Sequence, residues 1–379
     1  MNNSLLPPRG ITLGGLNKAE WDQPEQRRRG LMELHRLHRY GFSIRAPAVL
    51  PLITHHEFRL FDLASLRWCL AHPLCTGLAI MKGARVALEY YAPDFSPLAV
   101  HSVQSITKTT VHLIAGRLIE HGRLEMARRV RHYLPEIGSG YAHATLQQVF
   151  DMDVVNDYTE DYYDPRATLG ELEDAHGWRI MPELEHRTIR GFLQTITGRG
   201  QANPTRQRDY KTANTDLAGW ICERTAGRDL RSLLIDIVEA SGVESAVYLS
   251  CDREGTPFVG GGMHMTLRDL ARYGLLLARG GHGVRGLVVG SRAFRDQTRA
   301  QRAEGTISIA GAHYRNFTET DGVWLGHVGY GGQWLMVFPE SEIVIACLSG
   351  LSDDGGLDWA YTERQLAMGQ DVAAALASY

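Results

Sequence analysis

The chain has 379 residues, of which 44% are hydrophobic and 22% are charged, an ordinary globular composition that is long enough for a large core and two lobes. Its formal net charge of -3 argues against the basic surplus of a nucleic-acid-binding protein and against an acidic solvating tail. No apolar stretch is long enough to span a bilayer and the N-terminus does not have the pattern of a secretory signal, so we expect a cytoplasmic protein.

Residues 1–50 are rich in Arg, His and Pro, with leucines at three-residue spacing from Leu31 that give a short helical stripe. We interpret this segment as an arm that packs on the remainder of the chain. His35 and His38 have a spacing that metal ligands can have, but no third ligand lies nearby in the sequence. A solvated helix face is therefore the simpler interpretation of the two histidines.

Hairpin and helix patterns follow the arm. Two apolar runs flank residues 82–85 and predict a β-hairpin. Helices are then predicted, in chain order, over residues 102–122, 131–137, 143–152, 214–238 and 266–281. In the last of these, Thr266 is the predicted N-cap, and Asp269 and Arg272 are a predicted structural ion pair.

Strand patterns return after about residue 305, and a helix closes the chain. This order predicts an α+β fold, with an antiparallel sheet flanked by helices and an inserted, mainly helical lobe. We assign residues 51–114 and 255–379 to the sheet lobe and residues 115–254 to the helical lobe. The active site is expected between the two lobes.

The cysteines do not indicate a metal or disulfide site. They are odd in number and form no CxxC pair: Cys69, Cys75, Cys222, Cys251 and Cys347. This spacing indicates neither a zinc site nor a disulfide framework, and it favours a reducing compartment. We therefore expect no metal ion and no other cofactor.

Ser105 and Lys108, in the sequence SITK, are the first candidates for chemistry and lie where a predicted strand meets a predicted helix. Residues three apart share a helix face, so the lysine amine can reach the serine hydroxyl. A serine becomes a nucleophile when a base takes its proton, and lysine can be that base when burial lowers its pKa. The apolar residues around Lys108 favour burial, although the pattern alone also occurs by chance.

Two further clusters strengthen this interpretation. Tyr210 stands just before a predicted helix, and a tyrosine near a lysine can relay a proton, its phenolate stabilised by the ammonium. The four glycines in the segment Gly326 to Gly332 allow a ligand close to a strand and leave N–H groups free for an oxyanion. Taken singly, a structural tyrosine and a tight turn remain the alternatives.

Together and in this order, the three clusters resemble the serine β-lactamase and penicillin-binding-protein superfamily, on its class C-like side. Within it the sequence is most similar to the 6-aminohexanoate-oligomer hydrolases and the related carboxylesterases. The similarity runs from about residue 75 to the C-terminus and includes SITKTTVHLIAGRLIEHGRLE, GGGMHMTLRDLARYGLLL and GYGGQWLMVFPE. It implies a β-lactamase-like fold.

The resemblance also implies a role for each matching residue. Ser105 is then the nucleophile that becomes acylated, Lys108 takes or shuttles the proton, and Tyr210 protonates the leaving group. The main-chain N–H groups of Ser105 and Tyr330 form the oxyanion hole. Contacts with the substrate are implied for Tyr162 in TEDYYDP, Asn214, His264, His327, Gly329 and Gly331. Of these, His264 is expected as an exposed residue on the rim of the cleft.

Two positions depart from the family pattern. The segment YKTAN has no Asn two residues after Tyr210, and Asn214 comes two residues later than that position. The triplet HVG places His327 where other members carry the lysine of Lys-Thr-Gly. Because a histidine is mostly neutral at pH 7, it anchors a carboxylate less firmly than a lysine does. We therefore expect inefficient hydrolysis of β-lactams.

These observations predict a serine hydrolase that cleaves an amide or ester bond of a small molecule through a covalent acyl-enzyme. The alternatives are an acyltransferase with the same acyl-enzyme, a D-amino-acid peptidase or transpeptidase, and a sensor that is acylated without hydrolysis. A metal-dependent hydrolase fits poorly because the sequence has no HExxH motif. We expect no nucleic-acid or membrane partner, and a homodimer is one possible assembly.

Overall fold

The computed structural model describes residues 12–13, 18–180, 187–198, 201–202, 208–301, 311–351 and 356–377. Its strands are β1 (Thr12–Leu13), β2 (Tyr40–Ile44), β3 (Ile53–Thr54), β4 (Cys75–Lys82), β5 (Arg85–Tyr91), β6 (Val100–Ser102), β7 (Val154–Val155), β8 (Gln201–Ala202), β9 (Val247–Ser250), β10 (Met263–Thr266), β11 (His313–Arg315), β12 (Thr318–Thr320), β13 (Leu325–Gly329), β14 (Gln333–Phe338) and β15 (Ile343–Ser349). Its α-helices are α1 (Lys18–Trp21), α2 (Pro24–Leu37), α3 (Ala64–Ala71), α4 (Thr109–Glu120), α5 (Val130–Tyr133), α6 (Ser139–Ala142), α7 (Leu146–Phe150), α8 (Leu169–Ala175), α9 (Ile189–Thr195), α10 (Thr212–Ala226), α11 (Leu230–Ser241), α12 (Leu267–Ala278), α13 (Arg292–Ala300) and α14 (Trp359–Ala377). Short 3₁₀ turns cover Phe58–Asp62, Gln104–Lys108 and Val284–Gly286.

The larger sheet brings together strands that are far apart in the sequence. Among the described residues it has eight strands in the order β11-β12-β13-β14-β15-β4-β5-β3, and only the pairing of β3 with β5 is parallel. The central strands β4 and β15 are buried on both faces, because α12 covers one face while α3 and α14 cover the other. The predicted α+β fold with a mainly antiparallel sheet is confirmed.

Alternation along the central strands separates two hydrophobic cores. Leu78 and Ile80 point to the core under α3 and α14, whereas Ala79 and Met81 point to the larger core shared with α12 and the helical part. Successive side chains of a strand face opposite sides of a sheet, so one buried strand serves both cores. The predicted hairpin of β4 and β5 is part of this arrangement.

A second sheet, which the sequence did not predict, supports the segment that carries Ser105. It has the order β1-β2-β9-β10-β6 in the described chain, so the arm contributes the strand β2 and packs α2 against β6. Strand β6 ends at Ser102, three residues before Ser105. The segment boundaries drawn at residues 50, 114 and 254 stay predictions.

The helix predicted over residues 214–238 is two helices. Gly227 ends α10 in the left-handed conformation, with φ of 64°, which a residue with a side chain rarely adopts. Asp229 then caps α11, because its carboxylate accepts a hydrogen bond from the Ser232 main-chain N–H at 2.8 Å. No helix in the described part of the chain is long and apolar enough to cross a membrane.

The start of α12 depends on a buried carboxylate. The Thr266 side chain caps the helix as predicted, and Asp269 pairs with Arg272 at 2.8 Å. Asp269 also accepts hydrogen bonds from the main-chain N–H groups of Glu244 and Ser245, at 2.8 and 2.9 Å. The pair therefore ties the end of the helical part to the helix that covers the central strands.

Replacement of Asp269 with Ala should destabilise the protein by about 3 kcal/mol, because it leaves the buried guanidinium of Arg272 and two main-chain donors with fewer partners. Urea unfolding followed by circular dichroism measures this loss. Asp236→Ala, which removes an exposed partner of Arg228, is the matched control and should cost less than about 1 kcal/mol. Equal stability of the Asp269 variant and the control would show that the buried pair is dispensable.

Candidate active site

A strained turn presents Ser105. The main-chain N–H of Val103 still bonds to Met263 on β10, and the next residue, Gln104, then adopts a φ of 50°. Such a conformation is unfavourable for a residue with a side chain and persists only where the surroundings hold it. Here the Gln104 amide donates to the Ser102 hydroxyl at 2.7 Å. The conformation of Gln104 turns the chain out of the direction of strand β6 and into the 3₁₀ turn that carries Ser105 and Lys108.

The Lys108 amine is fully buried and has three polar partners. Its nitrogen lies 3.0 Å from the Ser105 hydroxyl oxygen and 3.1 Å from that of Thr212, and it donates to the Gly260 carbonyl oxygen. The Thr212 hydroxyl donates its own proton to Glu160 at 2.7 Å, so it can only accept from Lys108. A neutral amine has two N–H bonds and one lone pair. Thr212 and Gly260 occupy the N–H bonds, which leaves the lone pair for the proton of Ser105.

Burial favours this neutral state of Lys108. Loss of hydration lowers the pKa of Lys108 to about 8, although negative charge on Glu160 and Asp216 acts in the other direction and raises it. Burial also raises the pKa of Asp216, of which one oxygen accepts from the Gly260 N–H at 3.1 Å and the other has no partner among the described residues. A protonated Asp216 does not hold the lysine in its charged form.

Tyr210 lies on the other side of the nucleophile. The Lys108 nitrogen is 5.0 Å from the centre of the Tyr210 ring, and Tyr210 and Ser105 line the same cavity. Burial, together with the charge of Glu160, raises the pKa of Tyr210 well above its ordinary value. Tyr210 is a phenol, which is the form that can donate a proton.

Glycine lets strand β13 approach the Ser105 turn. A Cβ on Gly329 would lie 2.7 Å from the Val103 carbonyl oxygen and 3.0 Å from the Cβ of Gln104. Tyr330 follows, and in the described chain neither its main-chain N–H nor that of Ser105 donates to another residue. Gly331 has φ of 82° and turns the chain into β14. The glycines thus act through the backbone, and two N–H groups remain for an oxyanion.

A cavity of about 140 Å³ opens beside Ser105. Its walls are mainly aromatic and apolar, with few polar groups. It is lined by Ser105, Glu160, Tyr162, Tyr210, Tyr314, Glu319, His327, Val328, Gly329, Tyr330, Leu357 and Trp359. A small, mostly apolar cavity with a few placed polar groups is typical of a site for a small molecule.

Glu160 organises one wall of the cavity and was not predicted. It accepts hydrogen bonds from the hydroxyls of Tyr158, Tyr162 and Thr212, at 2.8, 2.7 and 2.7 Å, and from the Thr212 main-chain N–H. Tyr162 also lines the cavity, and its hydroxyl is directed to Glu160. Its contact with a substrate stays a prediction. The only sequence signal for Glu160 is its place in TEDYYDP, two residues before Tyr162.

His327, Tyr314 and Glu319 form the opposite wall. Burial lowers the pKa of His327 to about 3, so the ring is neutral, and its Nδ1 donates to the Val328 carbonyl at 2.5 Å. The other ring nitrogen accepts from the Tyr314 hydroxyl at 3.3 Å. Burial raises the pKa of Glu319 to about 8, and one of its oxygens has no partner among the described residues. This wall therefore offers hydrogen bonds without a fixed charge at pH 7.

Two residues predicted to contact the substrate lie elsewhere. Asn214 is fully buried in α10, where it accepts from the Tyr141 hydroxyl at 2.8 Å and donates to the Val149 carbonyl at 3.2 Å. His264 is also fully buried, with its ring 5.6 Å from that of His38. Strand β10 lies inside the smaller sheet, between β9 and β6, so the expectation of an exposed rim histidine is wrong.

The arm holds the side chain of Tyr330, a contact that the sequence did not predict. The Tyr330 hydroxyl donates to Asp22 at 3.0 Å, and the other oxygen of Asp22 accepts from Arg27 at 2.8 Å. The Arg27 guanidinium also lies 5.4 Å from the centre of the Tyr330 ring. Residues of the arm thereby fix the turn whose N–H group faces the cavity.

Comparison with known proteins shows the family of this chain. The family described as Beta-lactamase matches residues 74–366. The chain is 31% identical to the 6-aminohexanoate-dimer hydrolase of Paenarthrobacter ureafaciens over 297 residues, which is 75% of each chain.

Solved structures agree with this fold. A Bacillus anthracis protein provisionally assigned as a 6-aminohexanoate-dimer hydrolase has a TM-score of 0.80 and 20% identity, over 97% of this chain and 99% of that chain. EstCE1, a hydrolase with promiscuous acyltransferase activity, has a TM-score of 0.60 and 14% identity, over 82% of this chain and 97% of that chain. At these identities the likeness shows the fold alone.

The second-order rate constant kcat/KM for an ester substrate should rise with pH and level off above a pKa near 8, because the neutral amine of Lys108 is the reactive form. Below that pKa the rate should fall about tenfold per pH unit. Stopped-flow or initial-rate assays between pH 6 and 9.5, corrected for spontaneous hydrolysis, measure the profile.

Lys108→Arg should remove this rise and lower kcat/KM by about 10²-fold or more, since a guanidinium stays charged. Lys82→Arg is the matched control, because the Lys82 amine donates to the Leu376 carbonyl, away from the cavity. A flat profile for the unmodified protein, or an unchanged profile for Lys108→Arg, would remove Lys108 from the reaction.

Proposed function

Because the chain belongs to the Beta-lactamase family of serine hydrolases, we propose that it hydrolyses amide or ester bonds of small molecules, with Ser105 as the nucleophile. The observation that carries the proposal is the position of the buried Lys108 amine, whose nitrogen lies 3.0 Å from the Ser105 hydroxyl oxygen and also contacts Thr212 and Gly260. In the neutral amine, the two N–H bonds serve Thr212 and Gly260, and the lone pair accepts the Ser105 proton. No metal ion or cofactor is needed for the steps below.

Acylation begins when Lys108 takes the proton of Ser105 as its oxygen attacks the substrate carbonyl carbon. The carbonyl oxygen becomes an oxyanion, which the N–H groups of Ser105 and Tyr330 stabilise. Tyr210 then donates its proton to the leaving nitrogen or oxygen, and the bond between it and the carbonyl carbon breaks. The ammonium of Lys108 lies beside Tyr210 and can return a proton to it, so both groups regain their resting forms.

Deacylation reverses the proton path with water in place of the leaving group. Water enters the side of the cavity that the leaving group has vacated, next to Tyr210 and Lys108. It loses a proton as it attacks the acyl carbon, and Ser105 regains a proton as the ester bond to the enzyme breaks. The free acid and the resting site are the products.

We propose short linear amides and esters as the substrate class. The cavity of about 140 Å³ suits a small acyl group, and its aromatic walls favour an apolar chain. Neutral His327 provides no fixed cation for a substrate carboxylate, which distinguishes this site from a β-lactam-binding pocket. The curated relative at 31% identity is named for an amide dimer of 6-aminohexanoate, which supports a linear amide over a bicyclic one.

Assembly and location belong to the same proposal. We retain the homodimer and the cytoplasmic location that the sequence suggested as predictions. The reaction itself requires only groups of one chain, since Ser105, Lys108, Tyr210 and the two N–H donors converge within it.

Ser105→Ala should abolish turnover of p-nitrophenyl esters and block covalent labelling by a fluorophosphonate probe, because it removes the proposed nucleophile. Ser241→Ala is the matched control: its hydroxyl is also buried but donates to the Ile237 carbonyl on α11. Intact-mass spectrometry of the labelled proteins should show one adduct on the control and none on Ser105→Ala. Labelling of the Ser105 variant at the rate of the control would refute the assignment.

Tyr210→Phe should lower kcat/KM for a linear alkyl amide by about 10²–10⁴-fold and that for the matching p-nitrophenyl ester much less. An amine leaving group must be protonated before it departs, whereas p-nitrophenolate leaves as a stable anion. Tyr273→Phe is the control, because its buried hydroxyl contacts Thr109 rather than Ser105. Equal losses for the two substrates would show that Tyr210 does not protonate the leaving group.

A further inference from the structure

Three cysteines, two of them close in the sequence and the third far from both, meet on one face of the larger sheet. The sulfur atoms of Cys69, Cys75 and Cys347 all lie within 4.8 Å of one another. All three side chains are buried, and all three are free thiols. Their spacing in the sequence gave no indication of a site, and the function proposed above does not use them.

The fold places each sulfur by main-chain contacts. Cys69 lies near the end of α3, where its carbonyl accepts from the His72 N–H at 3.2 Å, and the His72 carbonyl accepts from the Cys75 N–H at 3.0 Å. This turn brings the first two cysteines together at the start of β4. Cys347 joins them because β15 pairs with β4 and Cys347 stands opposite Leu78, on the face covered by α3 and α14.

A buried amide faces this cluster. The Gln365 side chain on α14 is fully buried and its nitrogen lies 3.2 Å from the Cys347 sulfur, while its oxygen has no partner among the described residues. The Ser349 hydroxyl lies 3.8 Å from the same sulfur. A polar amide in an apolar layer is costly unless it serves a polar neighbour. Its position suits an N–H donor to a sulfur that carries negative charge.

A positive charge lies beside the three sulfur atoms. Arg28 adds positive charge near Cys75, since its guanidinium donates to the Pro73 and Leu74 carbonyls beside it. Three buried sulfur atoms beside a cation are a receptive set of soft ligands.

We propose that Cys69, Cys75 and Cys347 bind one Cu(I) ion through their three sulfur atoms. Soft thiolates select Cu(I) and Zn²⁺ among the available metals. Structural Zn²⁺ takes four protein ligands, and the part of the chain that the structure describes brings no fourth His, Cys, Asp or Glu atom into the cluster. Three sulfur ligands satisfy Cu(I), which accepts low coordination numbers.

Binding is an exchange of protons for the metal, without electron transfer. Three Cu–S bonds form, the S–H bonds of Cys69, Cys75 and Cys347 break, and three protons leave for solvent. The N–H of Gln365 and the charge of Arg28 offset part of the negative charge of the bound site. Binding should therefore strengthen as the pH rises.

The test uses the reduced full-length protein in an oxygen-free buffer, with Cu(I) supplied as its coloured bicinchoninate complex. The absorbance of that complex falls as the protein removes Cu(I) from it. The unmodified protein should take up one equivalent of Cu(I). Cys75→Ala and Cys347→Ala should each weaken the affinity for Cu(I) by more than about tenfold. Changes to residues that only support the ligands of a metal site already cost about tenfold or more, and loss of a ligand should cost at least as much. Cys222→Ala removes a buried thiol outside the cluster and should bind as the unmodified protein does.

A second measurement does not depend on whether the variants fold. X-ray absorption at the copper edge of the loaded, unmodified protein should show a shell of three sulfur atoms. A shell dominated by nitrogen or oxygen, or uptake unchanged in both cluster variants, would overturn the proposal. The proposal would also fail if the protein took no Cu(I) from the complex or bound Zn²⁺ in preference. Bound Cu(I) should protect the three thiols from mild oxidation. A disulfide that forms within the cluster equally in the presence and absence of Cu(I) would therefore contradict the proposal as well.

Discussion

The hydrogen bonds that orient the Lys108 amine are the constraint on which the remainder of the site depends. Thr212 begins α10, Gly260 lies in the loop before β10, and Ser105 lies in the turn after β6. These three segments are far apart in the sequence and must meet to within about 3 Å for the lone pair to face the hydroxyl. The position of the Lys108 nitrogen therefore depends on the smaller sheet, which holds the segments of Ser105 and Gly260, and on helix α10, which holds Thr212.

A second property of the site is that burial moves most of its titratable groups towards their neutral forms. Lys108 tends to lose its proton, whereas Glu319, Asp216 and Tyr210 tend to keep theirs. Loss of hydration is the largest cause in each case, so the effect belongs to the cavity rather than to any one pair of charges. Such a cavity strengthens the interaction of two N–H dipoles with an oxyanion, because little water competes for it.

The sequence could predict the parts of the site that depend on local spacing. Ser105 and Lys108 are three residues apart on one turn, and Thr266 caps its helix through the next turn, so both follow from short-range geometry. Glu160 and Glu319 could not be found in this way, because their roles arise only when separate segments pack around the cavity. His264 was misplaced for the same reason: its neighbours in the smaller sheet decide that it is buried.

The convergence of cysteines is the extreme case, since it depends on the register between β4 and β15. The other neighbour of β15 positions the turn that holds Tyr330, because Gln333 on β14 donates to the carbonyls of Tyr330 and Ser349, at 3.1 and 2.8 Å. Gln365 reaches the neighbouring Gly332 carbonyl at 3.1 Å. The turn is thus held by the buried amides of Gln333 and Gln365 through its backbone and by Asp22 of the arm through the Tyr330 hydroxyl. Because an oxyanion donor is effective only when it is already aimed at the developing charge, this double support is what allows a loop rich in glycine to serve as one.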